Sequence, residues 1–266
     1  MTYRLIGMTA SVATQRVLWA LDYTEVPYTF EDYIPMISTP WLRARTRCWR
    51  GAISVPVLLG PGCCLLDSWD IALQINQDQP MAGLIPTPSQ GEVAALNQLS
   101  EAIFNAARSL MLARALQDDQ ALLGAIPAKF PAWSRRPMLP MMRKTFRDLQ
   151  NKYSEPGVSR EQQLERLATA VGRVREQLDG KPYLLDRGFS YADMTVAAAL
   201  AMAKPVPRSD SAPITAYERV NTCDEVVAAY PDVFDWRDGV VARHRYRSYL
   251  GNSCSGNRLP GKQHEP

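Results

Sequence analysis

A chain of 266 residues is long enough to bury one large core or two ordinary ones. Its 46% hydrophobic and 21% charged residues exclude a largely disordered polymer. A net charge of +3 is too weak a field to call for a nucleic-acid or membrane partner by itself. Residues 1–7 alternate like a strand and lack the charged-then-apolar layout of a secretion signal, so the mature chain is expected to begin there. No apolar run approaches the roughly 20 residues of a bilayer-spanning helix, and a soluble chain without membrane association is expected. The five cysteines, Cys48, Cys63, Cys64, Cys223 and Cys254, are odd in number and form no CxxC pair. Free thiols in a reducing, cytoplasmic compartment fit them better than a disulfide framework or a zinc knuckle.

Residues 3–7 read as a strand, and 14–22 place Val17, Leu18 and Leu21 on one helical face. Over 26–33, Val26, Tyr28 and Phe30 alternate with Pro27, Thr29 and Glu31, the period of a second strand. Thr39-Pro40 offers a cap and a first-turn proline for a helix over 41–49. Residues 55–59 form a short apolar strand containing Pro56, the Gly60-Pro61-Gly62 turn follows, and 63–66 returns as a hairpin partner. Cys63 and Cys64 then face opposite sides of that strand. Asp67-Ser68 precede Trp69, Ile71, Ala72 and Ile75 at helical spacing, where a helix starts.

The order β-α-β-α-β-β-α is complete by about residue 78, and the Pro-, Gly-, Gln- and Ser-rich stretch 78–91 reads as a linker. Beyond it, 92–118, 158–178 and 190–204 carry long helical patterns, with shorter ones near 138–153 and 223–245. The expected fold class is therefore α/β plus all-α: a βαβαββα domain over 1–80, a helical bundle over 91–250 and a flexible tail over 251–266.

Three stretches carry a resemblance. Ser54-Val55-Pro56-Val57-Leu58, then Leu66-Asp67-Ser68-Trp69-Asp70-Ile71-Ala72, and far downstream Phe189-Ser190-Tyr191-Ala192-Asp193-Met194 together resemble the glutathione transferase superfamily in order and across both halves. The resemblance implies a thioredoxin-like first domain that binds glutathione as co-substrate, with no metal, and an all-helical second domain. It also implies a homodimer and a role in detoxification.

Each stretch has a physical reason. A proline held cis at a strand start turns the neighbouring backbone outward, so Val55 would pair with a peptide ligand like an added strand, with Pro56 setting the geometry. Asp67 and Ser68 lie at a helix N-terminus, where free N–H groups and the dipole favour a carboxylate. The γ-glutamyl carboxylate would rest on Ser68 and those N–H groups, with its ammonium near Asp67. Either signal alone is more often an edge-strand device or a plain cap; the pair at this spacing favours glutathione. Ser190 and Asp193 read as a capping box that serves folding.

In the same family the activating Ser, Cys or Tyr lies after the first strand, and in the Ser and Cys classes five residues before a helix arginine. Arg16 puts Ser11 there, with Thr9 and Thr14 as nearby alternatives. The implied role is hydrogen-bond donation to the glutathione sulfur, which stabilises thiolate over thiol. Serine in place of cysteine argues for conjugation, isomerisation or thiolytic cleavage over mixed-disulfide chemistry. The family's usual lysine two residues before the proline is Ser54 here, so Arg50, out of the cluster Arg43, Arg45, Arg47 and Arg50, is the candidate partner for the glycyl carboxylate. A hydrophobic electrophile is expected between the domains, facing Phe104, Arg108 and Met111.

Two histidines, His244 and His264, do not assemble a Ser-His-Asp hydrolase or a multi-histidine metal site. His244 reads as a surface residue at a helix end. Residues 129–144 mix Phe130, Trp133 and four Met or Leu with Arg135, Arg136, Arg143 and Lys144. They read first as a long helix connection and second as a lid or membrane-surface element. The leading expectation is a serine-type glutathione transferase. A non-catalytic binding or scaffold protein, or an ether-cleaving or isomerising relative suggested by the Asp-Ser-Trp helix start, is the alternative.

Overall fold

The computed structural model describes residues 2–34, 38–50, 53–126, 130–206 and 215–245. They divide into two compact units, with the cut between Ala82 and Gly83. The tail expected over 251–266, together with Cys254 and His264, lies outside the described residues.

The first unit runs β1 (Tyr3–Gly7), α1 (Val12–Tyr23), β2 (Tyr28–Asp32), α2 (Thr39–Thr46), β3 (Val57–Gly60), β4 (Cys63–Leu65) and α3 (Ser68–Asp78). Its sheet has the order β2-β1-β3-β4, with β1 and β2 parallel and the other two pairings antiparallel. Alternation along β1 sorts the core into two layers. Ile6 and Val57, paired in the ladder, pack with Leu42 of α2. Leu5 and Leu58, also paired, face the other way with Tyr3, whose hydroxyl reaches Asp78 of α3 at 2.5 Å. Val17, Leu18, Leu21, Ile71 and Ile75 are buried on α1 and α3, which pack together.

Three boundaries differ from expectation for local reasons. Strand β2 begins at Tyr28, because the Val26 N–H bonds back to the Leu21 carbonyl at 3.2 Å and closes the turn after α1. Strand β3 begins at Val57, since Pro56 has no N–H for the ladder. Thr39 is already inside α2, and its hydroxyl pairs with the Tyr33 hydroxyl at 2.7 Å instead of capping the helix.

The second unit is helical: α4 (Gln90–Ala115), α5 (Asp119–Gly124), α6 (Ala132–Arg135), α7 (Leu139–Tyr153), α8 (Arg160–Leu178), α9 (Tyr191–Leu200), α10 (Ala216–Val220), α11 (Asp224–Ala229) and α12 (Pro231–His244). Helix α9 is buried on every residue and packs against α4, which also packs against α8. That explains why α9 lacks a polar face. Ser190 and Asp193 form the expected capping box, and Asp193 also accepts the Leu184 N–H at 2.8 Å, so one carboxylate ties the helix start to the preceding loop.

The helix expected over 223–245 is two, because Pro231 disfavours helical backbone at Tyr230, which sits at φ −133°. The stretch 78–91 holds two single 3-10 turns, Pro80–Ala82 and Thr87–Ser89. Helices α5, α6 and α10 span 6, 4 and 5 residues, too short for a periodic signal. Among the described residues no helix is long and apolar enough to cross a membrane.

Candidate functional site

Ser11 is the N-cap of α1, with extended backbone at φ −86° and ψ 125°. Its carbonyl accepts the Gln15 N–H at 2.9 Å and its own N–H bonds to the Met8 carbonyl at 2.9 Å, which fixes the turn. Its hydroxyl makes no capping hydrogen bond, although serine at this position ordinarily does. The backbone of this half-buried residue is thus fixed while its side chain is not tied to the helix end. Of the alternatives, Thr14 has its hydroxyl oxygen engaged, whereas the contact at Thr9 is to its backbone carbonyl. Thr14 is fully buried and its Oγ1 accepts the Met8 N–H at 3.3 Å, while the Thr9 carbonyl takes the Gln15 side-chain amide at 2.5 Å.

The Val55–Pro56 peptide is cis. Val55 precedes the ladder, which starts at Val57, and its side chain packs partly buried against the Ile6–Leu42–Val57 cluster. At the start of α3, Asp67 is the N-cap, and its Oδ1 accepts the N–H groups of Trp69 at 2.8 Å and Asp70 at 3.3 Å. This narrows the sequence expectation: two of the N–H groups pictured as available to a ligand carboxylate are held by Asp67 itself. Ser68, the first residue of α3, is 8% exposed. Asp67 is exposed, and both cap bonds run to the one oxygen, Oδ1. The double acceptance was readable in principle, since an aspartate just before a helix characteristically bonds the second and third amides.

The arginine cluster divides by task. Arg43 donates to the Cys48 carbonyl at 3.0 Å, and Arg45 pairs with Glu31 at 3.3 Å while lying 3.8 Å over the Trp41 ring. Arg47 ends α2 in left-handed backbone, at φ 55°. Arg50 is exposed and makes no ion pair among the described residues; its carbonyl takes the Cys48 thiol at 3.6 Å.

On α4 of the second unit, the Arg108 guanidinium lies 4.5 Å over the Phe104 ring and 3.6 Å over the Tyr153 ring, and donates to Asn105 at 2.7 Å. Burial draws its pKa down, against the opposing pull of Tyr153 and Glu101. Met111 goes elsewhere: it is 6% exposed, in a cluster with Leu112, Ala115, Leu122 and Phe146. Nearly all of its surface is spent on packing.

Two further expectations resolve. Cys63 is half-buried and Cys64 exposed on the three-residue β4. His244 stacks on Phe189 with centroids 3.8 Å apart and bonds the Tyr183 hydroxyl at 2.8 Å, so it is held in an aromatic cluster rather than free on the surface. No group of three or more metal-ligating side chains gathers among the described residues.

Two family models match the chain: the glutathione S-transferase N-terminal domain over residues 5–83 and the glutathione S-transferase C-terminal domain over residues 157–239. The chain belongs to the glutathione transferase superfamily. The mixed four-stranded sheet with its helices, followed by a helical unit, is the glutathione transferase fold.

Solved structures of the same fold include a glutathione S-transferase from Methylobacterium radiotolerans in complex with glutathione sulfonate. It is 15% identical, with 97% of this chain and 100% of that one covered and a TM-score of 0.59. A glutathione S-transferase from Rhodospirillum rubrum is 20% identical, covering 97% and 96% at a TM-score of 0.58. The β-etherase LigF from Sphingobium is 18% identical, covering 91% and 96% at 0.58. No curated protein sequence matches the chain.

Proposed function

We propose that this member of the glutathione transferase superfamily is a serine-type transferase that joins the glutathione thiol to a hydrophobic electrophile in the cytoplasm, as a homodimer. The observation that carries the reading is Ser11, its backbone fixed at the α1 N-terminus while its hydroxyl makes no capping bond. A capping bond would tie the serine oxygen, as acceptor, to a backbone N–H; without it the hydroxyl can turn to aim its O–H at a ligand.

In this reading the tripeptide lies along the Val55 backbone beside Pro56. Its γ-glutamyl carboxylate meets the Ser68 amide and hydroxyl, where the helix dipole favours negative charge. The ammonium is met by the exposed Asp67 carboxylate. Asp67 therefore both closes the helix end and supplies charge, which restricts the ligand carboxylate to one position. The exposed guanidinium of Arg50 serves the glycyl carboxylate.

The Ser11 hydroxyl donates to the sulfur, lowers the cost of the thiolate and leaves the thiol proton to solvent; no protein base is needed. The thiolate then attacks the electrophilic carbon of the acceptor, forming a C–S bond as the leaving group departs. Phe104 and Arg108 on α4 are assigned to the acceptor. Met111 contributes support from the core rather than contact, given its burial.

The test combines retention on immobilised glutathione with turnover of a chlorodinitrobenzene-type electrophile and a panel of aryl ethers. Retention with turnover that collapses in Ser11→Ala supports the proposal. Retention with no turnover on any of them, or turnover indifferent to Ser11→Ala, replaces it with a binding or scaffold role.

A further inference from the structure

Charge is distributed unevenly in this chain. Residues 130–153 contain Arg135, Arg136, Arg143, Lys144, Arg147 and Lys152 against the single acid Asp148, a net +5, so the rest of a chain with total charge +3 sums to −2. The structure shows which of these charges are available. The apolar side of α7, carried by Leu139, Met142, Phe146 and Leu149, is packed into the core of the second unit. That packing fixes the helix rotation and turns Met141, Lys144, Arg147 and Lys152 outward.

Arg136 and Arg147 are exposed and make no ion pair among the described residues, whereas Lys144 pairs with Asp148 at 2.7 Å and Arg143 with Asp119. Just before α7, Trp133 is 81% exposed on α6, between the exposed Pro131 and Pro137, and Met141 is 42% exposed on the same stretch. A large indole left in water on a stretch with a net positive charge is costly unless something covers it.

We propose that this face, Trp133 with Arg136, Lys144, Arg147 and Lys152, docks the protein peripherally on an anionic lipid surface. The chemistry matches on both counts: clustered Arg and Lys are drawn to acidic headgroups, and an exposed Trp settles at the headgroup level with its apolar ring buried. A second copy of the chain is a poor occupant with its two-fold axis through this face, because that contact sets cations against cations. Nucleic acid is less well served, since one indole among prolines and methionines offers an apolar wedge rather than a series of stacking platforms. The inference stands apart from glutathione chemistry, as none of these residues belongs to the proposed glutathione site.

The experiment is vesicle co-sedimentation of the full chain at low and at physiological salt. It compares pure phosphatidylcholine with phosphatidylcholine containing about 30% phosphatidylglycerol. Binding is expected only to the anionic vesicles, weakening with salt, and falling at least about tenfold in Arg136→Glu/Arg147→Glu and in Trp133→Ala. Circular dichroism and melting temperature of the variants serve as the folding control, and Arg136→Lys/Arg147→Lys should restore binding if either charge reversal disturbs the fold. The proposal is overturned by equal binding to both vesicles or none to either. It is also overturned by heparin or DNA binding without vesicle binding, or by an oligomer that dissociates in Trp133→Ala.

Discussion

Asp67 accepts the Trp69 N–H at 2.8 Å and so caps α3, while the residue itself stays exposed at the helix end. Capping and charge can be separated by substitution. Asp67→Ala removes both, and is expected to cost about 1 kcal/mol of stability and to weaken glutathione binding. Asp67→Asn keeps a good cap, so its stability should stay within about 0.5 kcal/mol of the parent while glutathione affinity still falls. Urea unfolding paired with calorimetric titration of glutathione measures both. Unchanged affinity in Asp67→Asn would reduce Asp67 to a cap.

Ser11 should behave in the opposite sense. Because its hydroxyl makes no capping bond, Ser11→Ala is expected to change stability by less than about 0.5 kcal/mol, below the usual loss at an N-cap. Turnover should fall by roughly 100- to 1,000-fold, as for loss of one preorganised donor. The pKa of bound glutathione, followed by thiolate absorbance against pH, should rise toward that of the free thiol. An unchanged thiolate titration would remove Ser11 from the mechanism.

Asp193 predicts a pH dependence of stability. Burial pushes its pKa up from 3.8 to about 6, against the opposing pull of hydrogen bonds from the Leu184 and Ser190 amides and the Ser190 hydroxyl. The folded state therefore holds this proton more tightly than the unfolded one. Its contribution is fully present below pH 3.8 and is lost as pH rises through about 6. A shift of about two units corresponds to an upper limit near 3 kcal/mol. Asp193→Asn has no titrating proton, so the stability difference between parent and variant, taken from denaturant melts at each pH, should drift against the parent across that window. A flat difference would mean that Asp193 stays ionised throughout.

Gly60 is held to glycine by a neighbour, not by its backbone. A Cβ there would overlap the Tyr3 ring, and Tyr3 cannot swing aside without breaking its 2.5 Å bond to Asp78. Gly60→Ala is expected to cost about 1–3 kcal/mol as an overpacking substitution. In a Tyr3→Ala background the added cost should largely vanish, a coupling that a double-mutant cycle reads directly.

The sequence by itself determined the order of elements in the first unit, the hairpin, the Asp67 and Ser190 caps and the long helices α4 and α8. Those features are written in local spacing: alternation for strands, a 3.6-residue period for helices, and cap residues that act on amides two or three positions away. Pro231 was also a local signal for the break between α11 and α12, and the helical pattern on either side obscured it.

Only the tertiary structure decided where the side chains of those elements went. Met111 and Phe104 lie on one helix with similar local surroundings, yet Phe104 stacks with Arg108 and Met111 enters the core, because α5 and α7 close over one part of α4. His244 is withdrawn from the surface by Phe189 and Tyr183, which are 55 and 61 positions away. The cationic side of α7 faces water because its apolar side is already taken by the bundle. Burial is a property of what packs against a residue from distant parts of the chain, and no local period encodes it.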